Sequence, residues 1–317
     1  MIYTGSYARP RADLGEAIME VMLSTTQYIG IKALPLLPTR QATATFSRFT
    51  RESILRRRKT QRAPTAGYSR DQIEAEDDTY TCKENGHESL LGDDERAFFA
   101  SDFDAEKATS ENALHVVLRE QEIRIQQLLL NTTTFTGASL YTDVSANPWD
   151  NPASDAIGHV KAAAEKVRQN CGMKPNAMIL GLATLNNLLL NDDIIGRLAG
   201  VLVPTAAEIT KFLTGIFNVD QIITGDFIYN SASEGKAFVG VDGWGDDYVL
   251  LGVVAKTTNI KEPCLGRTFL WTGDSPQNTV VEEYRVEERR SNVFRVRQNT
   301  HEKLFDANFG HLLKVDA

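Results

Sequence analysis

Apolar residues recur at helical spacing in some stretches of the chain and alternate with polar ones in others, and the changes of period mark out its parts. The clearest helix is TSENALHVVLREQEIRIQQLLLN, where Leu114, Val117, Leu118, Gln121, Ile125, Leu128 and Leu129 share one face. Thr109 or Ser110 is expected to cap it, and Glu120 and Arg124 form an i,i+4 pair on its polar side. A helix over about 105–131 is roughly 40 Å long at 1.5 Å per residue, longer than a small core needs, and it reads as a strut. Upstream, DLGEAIMEVMLSTTQYIGI places Ile18, Val21 and Met22 on one helical face before the breaker ALPLLP. Between about 38 and 80 the period falls to two. QATATFSRFTRESI reads as a strand, RRRKTQRAPTAGYSR as a turn-rich polar tip, and DQIEAEDDTYTC as a returning strand. Both arms hold too few apolar residues to bury a face, so they predict a hairpin that projects from the body and needs something else to pack on.

Residues 153–275 alternate short helices and strands. SDAIGHVKAAAEKVRQNCG is an amphipathic helix stopped by Gly172, NAMILG is a strand, and ATLNNLLLNDDIIGRLAG and TAAEITKFLTGIFN are further helices. QIITG, KAFVG and DYVLLGVVA read as strands, which makes this stretch an α/β or α+β unit. The C-terminal segment from NTVVEEYRVEE to HLLKV alternates on both sides of RRSN, predicting long antiparallel strands with a turn near Ser291 and Asn292. There is no internal repeat and no low-complexity linker.

The charge distribution sharpens this outline. The 317 residues carry a formal net charge of −8, so the chain lacks the global positive field of a protein that binds DNA chiefly through phosphates. Against that background the hairpin tip gathers Arg51, Arg56, Arg57, Arg58, Lys59 and Arg62 around one acid, Glu52. The returning arm and its continuation hold Asp71, Glu74, Glu76, Asp77, Asp78, Glu84, Glu88, Asp93, Asp94 and Glu95 against one Lys83. Three readings of the basic run compete: a solvated loop, a phosphate-binding patch, and a contact with another protein copy. Little aromatic interleaving and the acidic limb that follows disfavour phosphate. Opposed charges steering assembly and setting register favour the contact, with Glu74, Glu76, Asp77 and Asp78 as its acidic counterpart.

Candidate chemistry is sparse. The five histidines fall in different elements without zinc-site spacing, so no metal is expected, and no phosphate-cradling glycine loop, dinucleotide fingerprint or nucleophile elbow is present. The glycines of GVDGWGDDYVLLG are expected to serve turns, and the pairs Asp93–Asp94 and Asp192–Asp193 to be solvated acids rather than an acid/base site. Cys82, Cys171 and Cys264 are dispersed and odd in number, which argues for free thiols in a reducing compartment. The N-terminus lacks an apolar signal core, and no run approaches the roughly 18–20 apolar residues of a membrane span. No catalytic residue and no cofactor is expected.

The order of parts carries a resemblance. A short N-terminal arm, a hairpin with an RAPTAGY tip, the acidic lead-in DDERAFFASDFDAEK, a long helix with LREQEIRIQQLLLN, an α/β unit and the late segment PCLGRTFLWTGD…VEEYRVEE follow one another along nearly the whole chain. Together they resemble tailed-phage major capsid proteins of the Hong Kong 97-like fold, an α+β architecture. The resemblance implies an N-arm over 1–36, an extended E-loop over 37–82, a P-domain from 83–149 and 276–317 with its spine helix over about 104–131, and an A-domain over 150–275. PNAMILGLATLNNLLLNDDIIGRL and IFNVDQIITGDFIYNSASEGKAFVG would lie in the last.

By that resemblance the expected function is self-assembly into pentamers and hexamers of an icosahedral shell enclosing double-stranded DNA, in the virion capsid after assembly in the host cytoplasm. Implied partners are other copies of the chain, a portal, a separate scaffolding protein because no room precedes residue 37 for a fused one, a decoration protein, and DNA held without sequence-specific contacts. No membrane partner is expected. An acidic container suits the last point, since a cationic wall would hold packaged duplex too tightly. Some family members crosslink a lysine to an asparagine; Lys59 sits on the tip, but neither the asparagine nor the activating acid is placed, so no crosslink is assigned. The alternatives are an encapsulin-like nanocompartment and, further off, a soluble enzyme or nucleic-acid-binding protein.

Overall fold

The computed structural model describes residues 9–10, 27–58, 60–99, 105–198 and 206–316. In chain order its strands are β1 Arg9–Pro10, β2 Leu36–Thr39, β3 Thr43–Phe49, β4 Ala75–Thr81, β5 Lys83–Gly92, β6 Tyr141–Asp143, β7 Ala177–Gly181, β8 Gln221–Gly225, β9 Ile228–Asn230, β10 Gly240–Asp242, β11 Tyr248–Gly252, β12 Gly266–Trp271, β13 Val280–Val286, β14 Ser291–Leu304 and β15 Gly310–Lys314. The helices are α1 Gly30–Ala33, α2 Arg51–Leu55, α3 Asp93–Phe99, α4 Ala105–Leu129, α5 Ala156–Cys171, α6 Leu182–Leu189, α7 Asp192–Leu198 and α8 Ala206–Phe217.

The helical stripe read from sequence is the buried face of α4. Leu114, Val117, Leu118, Gln121, Ile125 and Leu129 are buried, with Leu128 half-buried at its margin. Two local expectations differ. Thr109 and Ser110 lie inside the helix, where their hydroxyls donate to Ala105 O at 2.7 Å and Lys107 O at 2.9 Å, so they back-bond rather than cap. Arg124 does not take Glu120: its guanidinium donates to both carboxylate oxygens of Glu302 on β14 at 3.2 and 3.3 Å. A half-buried carboxylate across an interface is less screened than one on the solvated side of the same helix, so the tertiary partner wins. The N-terminal helix expected around Ile18, Val21 and Met22, and the start of the strut at Asp104, lie outside the described residues.

The larger sheet is built on β14. β5 lines one edge over Lys83–Gly92; β12 and then β13 run consecutively along the other, all antiparallel to it. β2 extends the sheet parallel to β12, and β1 pairs with β13. One face of β14 packs Phe294 and Val296 on Leu114, Val117 and Leu118 of α4. The turn joining β13 to β14 is a 3-10 turn at Glu287–Arg289 followed by Arg290 at φ +46°, just before the expected Ser291 and Asn292.

The second sheet has the order β6-β15-β11-β7-β8 and is covered on both sides. Met178 and Leu180 of β7, Val249 and Leu251 of β11 and Leu313 of β15 face a core completed by α5, α6 and α8. Ala177, Ile179, Leu250 and Leu312 point the other way, onto Ile125 and Leu129 of α4 and onto Ile29, Leu34, Phe227 and Trp244. Burial on both faces is why AMILG is apolar throughout rather than alternating. Helix α5 starts on Asp155, whose Oδ1 accepts Gly158 N–H at 2.8 Å, and stops at the expected Gly172, at φ +76°.

Sheet membership cuts across the sequence-based divisions. The strand β15, grouped with the C-terminal strands of the first unit, is an interior strand of the second sheet, and β6 pairs beside it; β12, placed in the second unit, belongs to the first sheet. Chain proximity did not decide pairing: β11 finds its partners in β15 and β7, which are distant in sequence.

Candidate assembly surface

The basic stretch sits on a hairpin whose neck is β3 and β4, paired antiparallel from Thr43–Thr81 to Phe49–Ala75. This neck does not project free, as its polar composition suggested. Tyr80 stacks on Phe269 of β12, with ring centroids 4.1 Å apart at 7°, and Phe46 leans on Phe269 and Phe305. Four aromatic rings from four segments are enough to anchor it, because each buries a large area and gains from ring geometry. Arg48 donates to Phe305 O, Lys303 pairs with Asp78, and His301 Nδ1 accepts Thr81 N–H at 3.1 Å.

Beyond the neck the hairpin turns away into solvent. Arg51 donates to Asn170 O, at the end of α5, at 2.9 Å and to Glu52 at 3.0 Å; the buried Ser53 hydroxyl accepts Glu74 N–H. From Leu55 to Asp77 every described residue is exposed. The apolar ones are part of the surface: Ile54, Leu55 and Ile73 are exposed, and Tyr68 is 75% exposed. A basic tip interleaved with large apolar side chains has more to gain from a partner than a purely solvated loop.

The predicted site residues separate into two groups. Arg56 and Arg57 are exposed and have no partner among the described residues. Arg62 lies over the Tyr68 ring at 4.5 Å, and Arg58 pairs with Asp71 within the tip. Lys59 lies outside the described residues. The acids are engaged inside the chain: Glu76 takes Arg48 at 3.1 Å, Asp77 accepts the Ser47 hydroxyl at 2.6 Å, and Asp78 takes Lys303, which holds its carboxyl below the usual range despite burial that pushes it up. Glu74 contributes its backbone, through Ser53 Oγ and Thr50 N–H. Two acids further along the limb meet arginines of the C-terminal strands: Glu88 takes Arg295 at 2.6 Å, and Asp93 takes the two terminal guanidinium nitrogens of Arg285 at 2.8 and 2.9 Å. So, apart from Arg58–Asp71 within the tip, the paired acids of the returning limb meet the neck and the C-terminal strands rather than the basic run.

A second exposed hairpin, β9–β10, carries Ile228, Phe238, Val239 and Val241 on its surface, with Phe238 72% exposed. KAFVG, expected as a strand, contributes only Gly240 to one: the strand is Gly240–Asp242, and residues 236–239 form the loop before it, where Phe238 and Val239 are exposed and have no sheet face to pack on.

The sequence reading also missed Glu122. Its place on the apolar stripe, four residues after Leu118 and three before Ile125, was the available signal. It is 3% exposed, and its carboxylate accepts three N–H groups: Ile29 at 2.9 Å, Gly30 at 2.7 Å and the Trp244 indole at 2.7 Å. Burial raises its pKa against these lowering bonds. Two more polar groups are structural. The fully buried Arg267 donates to Thr257 O, Asn259 O and Glu262, and shapes the 256–262 loop. His311, fully buried on β15, bonds Ser139 O at 2.9 Å and Thr142 Oγ1 at 2.8 Å, and burial lowers its pKa to about 4. Cys171 and Cys264 are buried and Cys82 half-buried. Among the described residues no cluster of three His, Cys, Asp or Glu could hold a metal, and no helix is long and apolar enough to cross a membrane.

Two sheets, a long helix laid across the first and reaching the second, and a hairpin held at its neck and by Arg51 on the end of α5 resemble the solved structures of phage capsids. In sequence the chain is similar to the major capsid protein of Burkholderia phage BcepMu, at 24% identity over 278 residues covering 86% of this chain and 88% of that one. Its structure is similar to that of a phage-related protein from Bordetella bronchiseptica, with a TM-score of 0.71, 21% identity and 97% and 98% of the two chains covered. The capsid protein of cyanophage P-SCSP1u matches at TM-score 0.59 and 9% identity, over 100% and 91%. An encapsulin complex from Synechococcus elongatus matches at 0.55 and 9%, over 90% and 86%. No family model matches the chain. These named capsid relatives are structural proteins, not enzymes.

Proposed function

We propose that this chain is the major shell protein of a tailed-phage capsid, assembling as pentamers and hexamers into an icosahedral container for double-stranded DNA. The observation that carries the reading is similarity over most of both chains to a phage major capsid protein, joined to end-to-end agreement in fold with capsid proteins. In this reading the segment up to residue 36 is the N-arm, 37–82 the E-loop, α4 the spine helix of the P-domain, and the second sheet with its helices the core of the A-domain. The basic tip, with Arg51, Arg56, Arg57, Arg58, Lys59 and Arg62, is the part that meets a neighbouring copy. Glu74, Glu76, Asp77 and Asp78 act from within the subunit, fixing the limb that presents it. A separate scaffolding protein, a portal and a decoration protein are the proposed partners, with assembly in the host cytoplasm.

Geometry supplies the mechanism. A subunit stiffened by one long helix against a sheet keeps its shape, while a limb held at its neck can meet neighbours at slightly different angles. Expression of the chain with the genes adjacent to its own, followed by electron microscopy, is expected to give closed particles or ring-shaped capsomers; a protein that stays monomeric under all assembly conditions would overturn the reading. The second reading, an encapsulin-like compartment, is favoured by the Synechococcus elongatus neighbour. Contents separate the two: nuclease-protected duplex DNA inside purified particles supports the phage capsid, and a co-purifying protein cargo supports the compartment.

A further inference from the structure

Glu122 occupies a junction of three parts of the fold, and each contact there has an unusual stringency. Its Oε2 accepts Gly30 N–H, and a Cβ on Gly30 would sit 2.6 Å from that oxygen and 2.6 Å from Ile125 Cδ1, so the N-terminal segment can approach α4 this closely only as glycine. Its Oε1 accepts both Ile29 N–H and the Trp244 indole. Trp244 is 2% exposed and lies against Gly225, where a side chain would run into the ring. One residue earlier, Gly243 closes the exposed β9–β10 hairpin: its N–H donates to Phe227 O at 2.9 Å, and its missing side chain leaves room for the Phe227 ring. Phe227 in turn meets Tyr28 at 6.1 Å between centroids, and Tyr28 bonds His115 of α4 through its hydroxyl at 3.2 Å.

Both ends of the exposed hairpin are therefore rooted in the same buried cluster that seats the segment Tyr28–Leu34. The hairpin itself has three register pairs and an outer surface bearing Ile228, Phe238, Val239 and Val241, too little to hold a fixed pose alone. We propose that the Glu122 carboxylate is a coupling joint, which makes the seating of Tyr28–Leu34 and the pose of the β9–β10 hairpin one cooperative unit. A carboxylate held by three N–H donors, with Lys32 acting on it only as a nearby charge, is suited to this role, because losing any one donor leaves a buried charge less satisfied and weakens the hold on the others. Glu122 is a positioning residue. On the shell reading above, a neighbour binding the hairpin's apolar surface would be felt at the N-terminal segment, and the reverse, by the reciprocity of linked equilibria. The coupling itself does not depend on that reading.

Hydrogen exchange on the full chain before assembly tests it, comparing wild type with Glu122→Gln, Trp244→Phe and the double variant. Glutamine supplies one acceptor in place of two; phenylalanine keeps a ring against Gly225 but removes the N–H. Either single change is expected to speed exchange about tenfold or more both at Lys32–Leu34 and in the β9–β10 ladder with Gly243, while the β3–β4 ladder keeps its wild-type protection. The double variant should add little to either single one. Loosening of Lys32–Leu34 with the hairpin unchanged, or fully additive effects, would overturn the proposal. If Glu122→Gln does not fold, Trp244→Phe decides by the same two readouts. Failure of the shell reading would look different: intact coupling in a wild-type chain that never forms particles.

Discussion

His311 and Arg267 show how single polar groups set conditions for the fold. An unfolded histidine takes its proton near pH 6.5, whereas His311 in the second sheet holds off until about pH 4, because burial disfavours the cation and Lys166 lies nearby. Between those values the unfolded chain binds more protons, so stability present above pH 6.5 is lost as pH falls toward 4, by up to about 3 kcal/mol. His115 and His301, also held below the ordinary value by burial, act in the same direction. Thermal melts from pH 7 to 4 are expected to show this decline, and a His311→Gln variant to show less of it. Arg267 makes the opposite case, a charge that is always present. Its removal in Arg267→Met takes the guanidinium from two carbonyls and from the carboxylate of Glu262, which is held at about 2, against burial that would raise it, by the N–H groups of Lys256 and Thr257, the Thr257 hydroxyl and Arg267 itself. A loss of about 3 kcal/mol is expected in chemical unfolding, with Arg267→Lys recovering little because an ammonium cannot reach three acceptors in a plane.

Among elements, the hairpin is the one whose sequence reading and structure differ most instructively. Its strands, its tip and its charge were legible, because period two and turn chemistry are local. Its anchoring was not: Tyr80 and Phe46 looked like isolated aromatics until Phe269 and Phe305, more than 180 residues away, were brought beside them. Tyr80→Ala is expected to free the neck, so that limited proteolysis within 50–75 speeds up markedly while the rest of the chain resists. The same contrast runs through the other elements. Helices α4 and α5 follow from spacing, and the end of α5 from Gly172, but the exchange of β12 and β15 between sheets turns on which edges remain open after folding, which no local pattern records. For the candidate surface, the basic residues were visible as a run; that Arg58 is spent on Asp71 and the acids on Arg48, Ser47 and Lys303 was not, because pairing depends on the fold.

At the scale of the whole molecule, that division of labour gives a cleaner test of docking than reversing the entire basic run. Arg56→Glu with Arg57→Glu leaves the Arg58–Asp71 pair intact. Thermal stability of the isolated subunit should change by no more than about 0.5 kcal/mol, as for surface charges elsewhere, while particle yield falls and becomes less sensitive to salt. Wild-type yield would remove the tip from the proposed interface. The position of the last strands has a different bearing. β14 is flanked on both edges in the first sheet and β15 lies inside the second, so residues 291–314 supply an interior strand to each. Neither sheet can close while these residues are still in the ribosome, and at the usual pace of about 5–20 residues per second everything upstream waits for them. A chain released before residue 291 would lack the middle of both sheets at once, and on the proposed shell reading such a truncated product would have no finished half with which to join its neighbours.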